Sequence, residues 1–354
     1  MSWRAPVGVR DVKPAAILGA LCRNAGPLTL LLLVMVFPIA AILARSEDAM
    51  DSIVHRHIST LYPAAYDLGL CNDSAILTRY VCGVHPYRLG INYGIYDPDR
   101  VFASAQGFAF EHIYVQWDTY KTSILDGSEY AKARGRWLLI TVEPFAQSKI
   151  GAGAEQLFRD ILAGSYDQNI DRICGDIQQT NRQTFVRWGH EMENLNGRYP
   201  WAQADYIGYV AAYRHFVDRC RDRAGNIYYV WSPVGNPGLH DYWPGRDYTD
   251  YVGLSVYGFP QWDVRYHGRP RSFEEIFFEK YELVKGFGKP VLIAELGVTG
   301  GREYQWEWMY GLFRSVQRFP LLKSVVYFNA RDSELAWGRD YEVPDWRIDR
   351  RLFR

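Results

Sequence analysis

From residue 89 onward the chain alternates between short apolar runs and longer segments whose apolar positions recur at helical spacing. The runs Leu89 to Tyr96, His112 to Trp117, Trp137 to Glu143, Thr184 to His190, Ile227 to Ser232, Tyr251 to Tyr257, Pro290 to Glu295 and Ser324 to Asn329 have strand length and strand composition. Amphipathic stretches lie between them, among them Ala154 to Ala163, Asn169 to Gln179, Ala202 to Arg221, Phe273 to Val284 and Tyr304 to Arg318. Apolar strands separated by helices signal a parallel sheet covered by helices. Eight such units over about 265 residues predict an α/β fold, a (β/α)8 TIM barrel. No repeat of solenoid period and no low-complexity segment competes with that reading.

The pattern before residue 89 is different. Residues 1–26 are polar and basic, with Arg4, Arg10, Lys13 and Arg23, and they precede an uncharged apolar run from Pro27 to Ala44 that is about long enough to cross a bilayer. Positive charge before that run and Glu47-Asp48 after it orient it with the N-terminus in the cytoplasm and the remainder outside. A signal peptide cut after Ala44 is the competing reading; the long basic segment and Ile42 at the minus-three position favour an uncleaved transmembrane anchor. The expected organisation is a cytoplasmic segment over 1–26, an anchor over 27–44, a stem and N-terminal cap over 45–88 and the barrel domain over 89–354. The expected location is the inner membrane, crossed once, with the barrel in the periplasm.

Export gives the cysteines a meaning, because disulfides persist in oxidising compartments. Cys22 falls on the cytoplasmic side, leaving Cys71, Cys82, Cys174 and Cys220, which allow three pairings. Cys71 with Cys82 would staple the stretch before the barrel, and Cys174 with Cys220 would join the helices flanking the fourth strand. Four buried thiols are the alternative. None has the Cys-x-x-Cys or nearby-His spacing of a metal site, so no metal is expected. The 40 basic and 40 acidic residues cancel, which argues against a nucleic-acid partner. Aromatic residues make up 16% of the chain, and although most must serve as packing, those at strand ends could lie against pyranose rings.

Chemistry collects where barrel strands end. The fourth strand runs into Arg187-Trp188-Gly189-His190-Glu191-Met192-Glu193, and about a hundred residues later the seventh delivers Glu295. A lone glutamate at a strand end is usually a solvated rim residue or a cap. Two carboxyls facing each other across a barrel mouth are what glycosidic bond cleavage requires, one to protonate the leaving oxygen and one to attack or stabilise the anomeric carbon. Glu191 would then need partial burial or a neighbouring negative charge to hold its proton, and Glu295 would need donors, for which Arg187 and the Tyr257 hydroxyl are placed. His190 could position the acid or bind a sugar hydroxyl. Tyr96, Glu143, Trp262 and Trp337 are candidates for sugar subsites, each equally explained by loop packing; Glu143 precedes Pro144 and could simply end its strand. His112 reads as a satisfied interior histidine.

In order and spacing, the segments VRWGHEMENLNGRYPW, YVWSPVGNPGLHDYWPGRDYTDYVGLSVYGF and KPVLIAELG resemble glycoside hydrolase family 26, the barrel family of β-mannanases and β-1,3-1,4-glucanases. The resemblance spans most of Leu89 to Ala330. It implies that Glu191 of His-Glu-Met is the general acid/base and Glu295 of Ile-Ala-Glu-Leu-Gly the nucleophile, supported by Arg187, His190 and Tyr257, with Trp201 of Tyr-Pro-Trp as the family's aromatic. Glu193 and Val234 stand where the family commonly has asparagine; the first would add a negative charge near the acid and the second removes a polar group near the cleft.

Together these readings describe a membrane-anchored, retaining endo-β-glycanase of β-1,4-linked gluco- or manno-configured polysaccharide, including mixed-linkage β-1,3-1,4 chains, that needs no metal or organic cofactor. Trp188, where mannanases tend to have proline, leans toward β-glucan. An anchor suits an enzyme that trims or releases a polymer exported by the cell, beside a synthase or export complex. The alternative from another class is a barrel that binds glycan without hydrolysing it, as an accessory of polysaccharide export.

Overall fold

Inward and outward side chains alternate along each barrel strand, and the alternation separates two cores. The computed structural model describes residues 91–145, 154–334 and 336–348, so the expected anchor at 27–44, the stem and the Cys71–Cys82 pair lie outside the described residues. In the strand β3 (Trp137–Glu143), Leu138, Ile140 and Val142 pack outward among the helices, whereas Leu139 joins an inner cluster with Phe110, Phe185, Val230, Leu292, Ala294 and Val326. Thr141 then bonds inward to His112 (2.8 Å from its Nε2). Burying the outer face of every strand supplies the main driving force, about 1.5–3 kcal/mol for each large apolar side chain.

The remaining strands are β1 (Asn92–Tyr96), β2 (Phe110–Gln116), β4 (Thr184–Trp188), β5 (Ile227–Trp231), β6 (Tyr251–Gly258), β7 (Val291–Val298) and β8 (Leu322–Phe328). Each pairs in parallel with its neighbours, and β8 closes on β1, so the sheet is a closed eight-stranded barrel. Gly94 makes room for the floor: a Cβ there would lie 2.5 Å from that of Phe110.

The helices are α1 (Ser123–Lys132), α2 (Ala154–Leu162), α3 (Asp167–Gln179), α4 (Tyr206–Arg221), α5 (Pro260–His267), α6 (Phe273–Val284) and α7 (Arg302–Ser315). α1 and α5 lie outside the stretches that the sequence pattern marks as helical. α4 begins at Tyr206 and not at Ala202, because the Asp205 side chain accepts from Gly208 N and caps it there. A reciprocal Ser272–Glu275 capping box starts α6 where its apolar run starts. Cys174 of α3 and Cys220 of α4 form a disulfide with their Cα atoms 5.3 Å apart. Among the described residues no helix is long and apolar enough to cross a membrane.

One irregularity decides where the chemistry can be. Between β6 and β7 the register shifts, Leu254 pairing with Ile293 but Ser255 with Glu295, so Ala294 is left over. Such a bulge re-aims the side chains beyond it. Ala294 belongs to the barrel floor and Glu295, the very next residue, also turns inward; strict alternation would have sent Glu295 into the helix layer.

Candidate active site

Arg187 is the centre of the mouth. It is fully buried, and its Nη1 lies 2.5 Å from Glu295 Oε1 while its Nε donates to Ser232 Oγ at 2.8 Å. Tyr257 at the end of β6 donates to the other oxygen, Oε2, at 2.6 Å. Glu295 therefore has a charge-assisted donor on each oxygen. Burial alone would push its carboxyl up, but the Arg187 charge and the Tyr257 hydroxyl outweigh it and hold Glu295 well below the usual carboxylate range.

Glu191 has the opposite surroundings. It adopts φ +56°, a left-handed conformation uncommon for a non-glycine residue, two residues after Gly189 at φ +53°. Its backbone N–H donates to Ser232 O at 2.8 Å, and Ser255 Oγ donates to its Oε1 at 2.5 Å. Burial pushes its carboxyl up and the charge of Glu295 adds to that, with Arg198 and Arg187 opposing. Ser255 Oγ is also 3.4 Å from Arg187 Nη2, so one serine and one guanidinium link the two carboxyls within a single pocket. Two carboxyls whose surroundings push one up and hold the other down have the pairing that an acid and a nucleophile require.

No family model matches the chain. Endoglucanase H of Acetivibrio thermocellus is 28% identical over 274 residues, 71% of this chain and 27% of that protein. The β-1,3-xylanase TXYA of a Vibrio species is 26% identical over 219 residues, 56% of this chain and 46% of that protein. The chain thus spans about a quarter to a half of the length of these relatives. A solved family 26 β-mannanase from Bacteroides ovatus superposes with a TM-score of 0.54 at 16% identity, covering 73% of this chain and 85% of that one, and this likeness concerns the fold. The barrel fold is similar to that of a glycoside hydrolase family 26 enzyme.

Around the mouth the other expected residues divide. His190 is fully buried, and its Nε2 is 3.0 Å from the Tyr199 hydroxyl and 3.9 Å from Glu295 Oε1. It is therefore turned toward the nucleophile candidate and away from solvent, so the expected contact with a sugar hydroxyl is corrected; burial and the Arg187 charge hold it neutral. Trp201 also differs from expectation. It is fully buried, stacked on Tyr199 with ring centroids 4.6 Å apart, and its Nε1 donates to His190 O at 2.6 Å. With no exposed face it backs the site and offers no surface to a sugar.

Trp337 and Trp262 are partly exposed and neighbour each other, their centroids 6.4 Å apart. Trp337 meets Tyr257 edge-on at 5.7 Å, so a ring that flanks the nucleophile's donor continues outward to Trp262. Tyr96 packs edge-on against Tyr114 at 4.8 Å and lies within the electrostatic reach of Glu143 and Glu295. Glu143 is pushed up to about 7 by burial, with Arg198 opposing and Glu295 reinforcing. His112, with its Thr141 bond, is an interior histidine.

Glu193 does not enter the pocket as a third charge; its Oε1 accepts from the backbone amides of Gly235 and Asn236, at 2.8 and 3.1 Å. Several site residues escape sequence reasoning. Ser232 and Ser255 are short polar residues in apolar strands, and only their alternation with outward-facing neighbours marks them. Asp332 accepts from Arg198, from Trp337 Nε1 and from Trp346 Nε1, each within 3.2 Å, and so ties the loop after β4 to the loop after β8. No local signal announces a contact between residues so far apart.

Proposed function

We propose that the chain is a retaining endo-β-glycanase. The observation that carries this reading is the pair of buried carboxyls, one just beyond β4 and one within β7, pushed in opposite directions in one pocket. Glu295 attacks the anomeric carbon while Glu191 gives its proton to the departing glycosidic oxygen, forming a covalent glycosyl-enzyme. Glu191, now a base, takes a proton from water, which displaces Glu295 and restores the original configuration. The partly exposed Trp262 and Trp337, with Tyr96 and Glu143, are the groups that would contact sugar.

For the substrate we favour β-1,4-linked gluco- or manno-configured chains, including mixed-linkage glucan, and the xylanase relative adds β-1,3-xylan to the candidates. The charge pattern around 27–44 supports an anchored protein with the 89–354 domain in the periplasm and a role in trimming or releasing an exported polymer. Product analysis of the purified chain on defined β-glucan, mannan and xylan oligosaccharides, with the anomer followed by NMR, tests the chemistry. Retention together with loss of activity in Glu295→Ala is expected. Inversion would refute the double displacement and leave an inverting hydrolase, and no reducing ends from any of them would leave a glycan-binding barrel. Unaltered polymer length after gene deletion would remove the export role.

A further inference from the structure

Lys280 of α6 lies outside the constellation described above, yet it is turned toward it. The residue is partly buried, and its Nζ donates to two backbone carbonyls, Val234 O at 2.8 Å and Ser255 O at 2.6 Å. Both belong to segments that hold the acid. Ser255 is the residue at which β6 changes register against β7, and its hydroxyl is the donor to Glu191. Val234 precedes the two amides that hold Glu193, two residues along the same loop from Glu191. The path of the lysine stem is shaped for it: a Cβ on Gly235 would lie 2.7 Å from Lys280 Cγ, and Gly235 has φ +99°, which glycine adopts readily.

We propose that Lys280 is a positioning residue for the acid/base, a clamp that fixes the Ser255 backbone and through it the hydroxyl that orients Glu191. The proposal rests on the glycanase reading. A carbonyl can be satisfied by many donors, but a single ammonium with three rotatable N–H groups can join two carbonyls, here from the loop after β5 and from β6. The charged groups acting on the ammonium are Glu191 and Glu193 from the loop after β4, Arg271 before α6 and Glu279 beside it on α6. Burial pulls Lys280 down to about 8, with the two loop carboxyls opposing, so it is mostly a cation at neutral pH. The clamp adds a fixed geometry for the Ser255 hydroxyl, whose hydrogen bond favours ionised Glu191.

The experiment uses the full-length chain with Lys280→Met, Lys280→Gln, Ser255→Ala and the Ser255→Ala/Lys280→Met double variant. Two probes are compared, a soluble mixed-linkage β-glucan, whose leaving alcohol needs a proton, and 2,4-dinitrophenyl β-cellobioside, whose leaving group does not. Each variant should lose about tenfold or more in kcat/KM on the polymer while staying within about threefold on the aryl glycoside, the signature of impaired general-acid catalysis. The alkaline limb should move to higher pH, because the variants lose what stabilised ionised Glu191. The double variant should be no worse than the weaker single, since both act through one hydroxyl. Equal losses on both probes, additive losses, or an unmoved alkaline limb would overturn the clamp. If the Lys280 variants do not fold, Ser255→Ala must still show the selective loss and the shifted limb, and its failure to do so overturns the relay. A wild-type chain inactive on both probes and on the oligosaccharide panel overturns the glycanase reading itself, and the clamp with it.

Discussion

Replacing Arg187 with methionine isolates the contact on which the assignment of roles depends. The guanidinium and the Glu295 carboxylate meet at 2.5 Å, with side chains 0% and 8% exposed. With an effective dielectric constant near 20 and charge centres about 4 Å apart, their attraction is worth about 4 kcal/mol, or about 3 pH units on Glu295. Removing it leaves burial as the largest influence on that carboxyl. Glu295 would rise from well below the usual range to the usual range or above it. The expected result is an acid limb of kcat/KM about 3 pH units higher than in the wild type.

Stability should follow with a definite sign. In the wild type the depressed carboxyl contributes stability that is present above its unfolded pKa, near 4.3, and is lost as pH falls through the folded value. In the variant the folded value is no longer depressed, so that contribution disappears at neutral pH. The total loss from leaving that buried carboxylate unpaired is about 3–5 kcal/mol. Melting temperatures at pH 7 and pH 4 measure this, with the gap between variant and wild type widest at pH 7. A variant with the wild-type acid limb and a pH-independent gap would show that Arg187 does not set the charge on Glu295.

Three further outcomes follow from packing. Trp337→Ala should raise KM roughly fivefold, about 1 kcal/mol of ring contact, with kcat on an aryl glycoside little changed. Trp201→Ala should instead cost about 3–5 kcal/mol in denaturant unfolding, because it empties a fully buried site and frees the His190 carbonyl. Reducing the Cys174–Cys220 disulfide, which closes a separation of 46 residues, should cost about 4 kcal/mol on the loop-entropy estimate, read as a lower urea midpoint under reducing conditions.

Much of the site was legible in the chain because strand ends in a barrel are a small set of positions. The apolar runs before Arg187 and Glu295 bring both residues to the mouth, and Arg187 and Tyr257 stand on Glu295 as their positions suggested. The aromatic residues were less legible. Trp201 and Trp337 look alike in sequence, each in a polar, turn-rich stretch, but one is buried behind Tyr199 and the other is partly open beside Tyr257. Solvent access depends on what packs over a ring, and that comes from elsewhere in the chain.

The sequence by itself determined the number of strands, their order and the residues that could be acid and nucleophile, because the alternation of apolar runs and helical stretches is written locally. Tertiary structure alone decided that Glu295 faces the pocket. The leftover Ala294 exists only relative to Leu254 and Ser255 on the neighbouring strand, and a register shift is a property of two strands, not of one. The same holds for the opposite shifts of the two carboxyls: a group acquires its pKa from what surrounds it, and Arg187, Ser255 and Tyr257 come together only when the barrel closes.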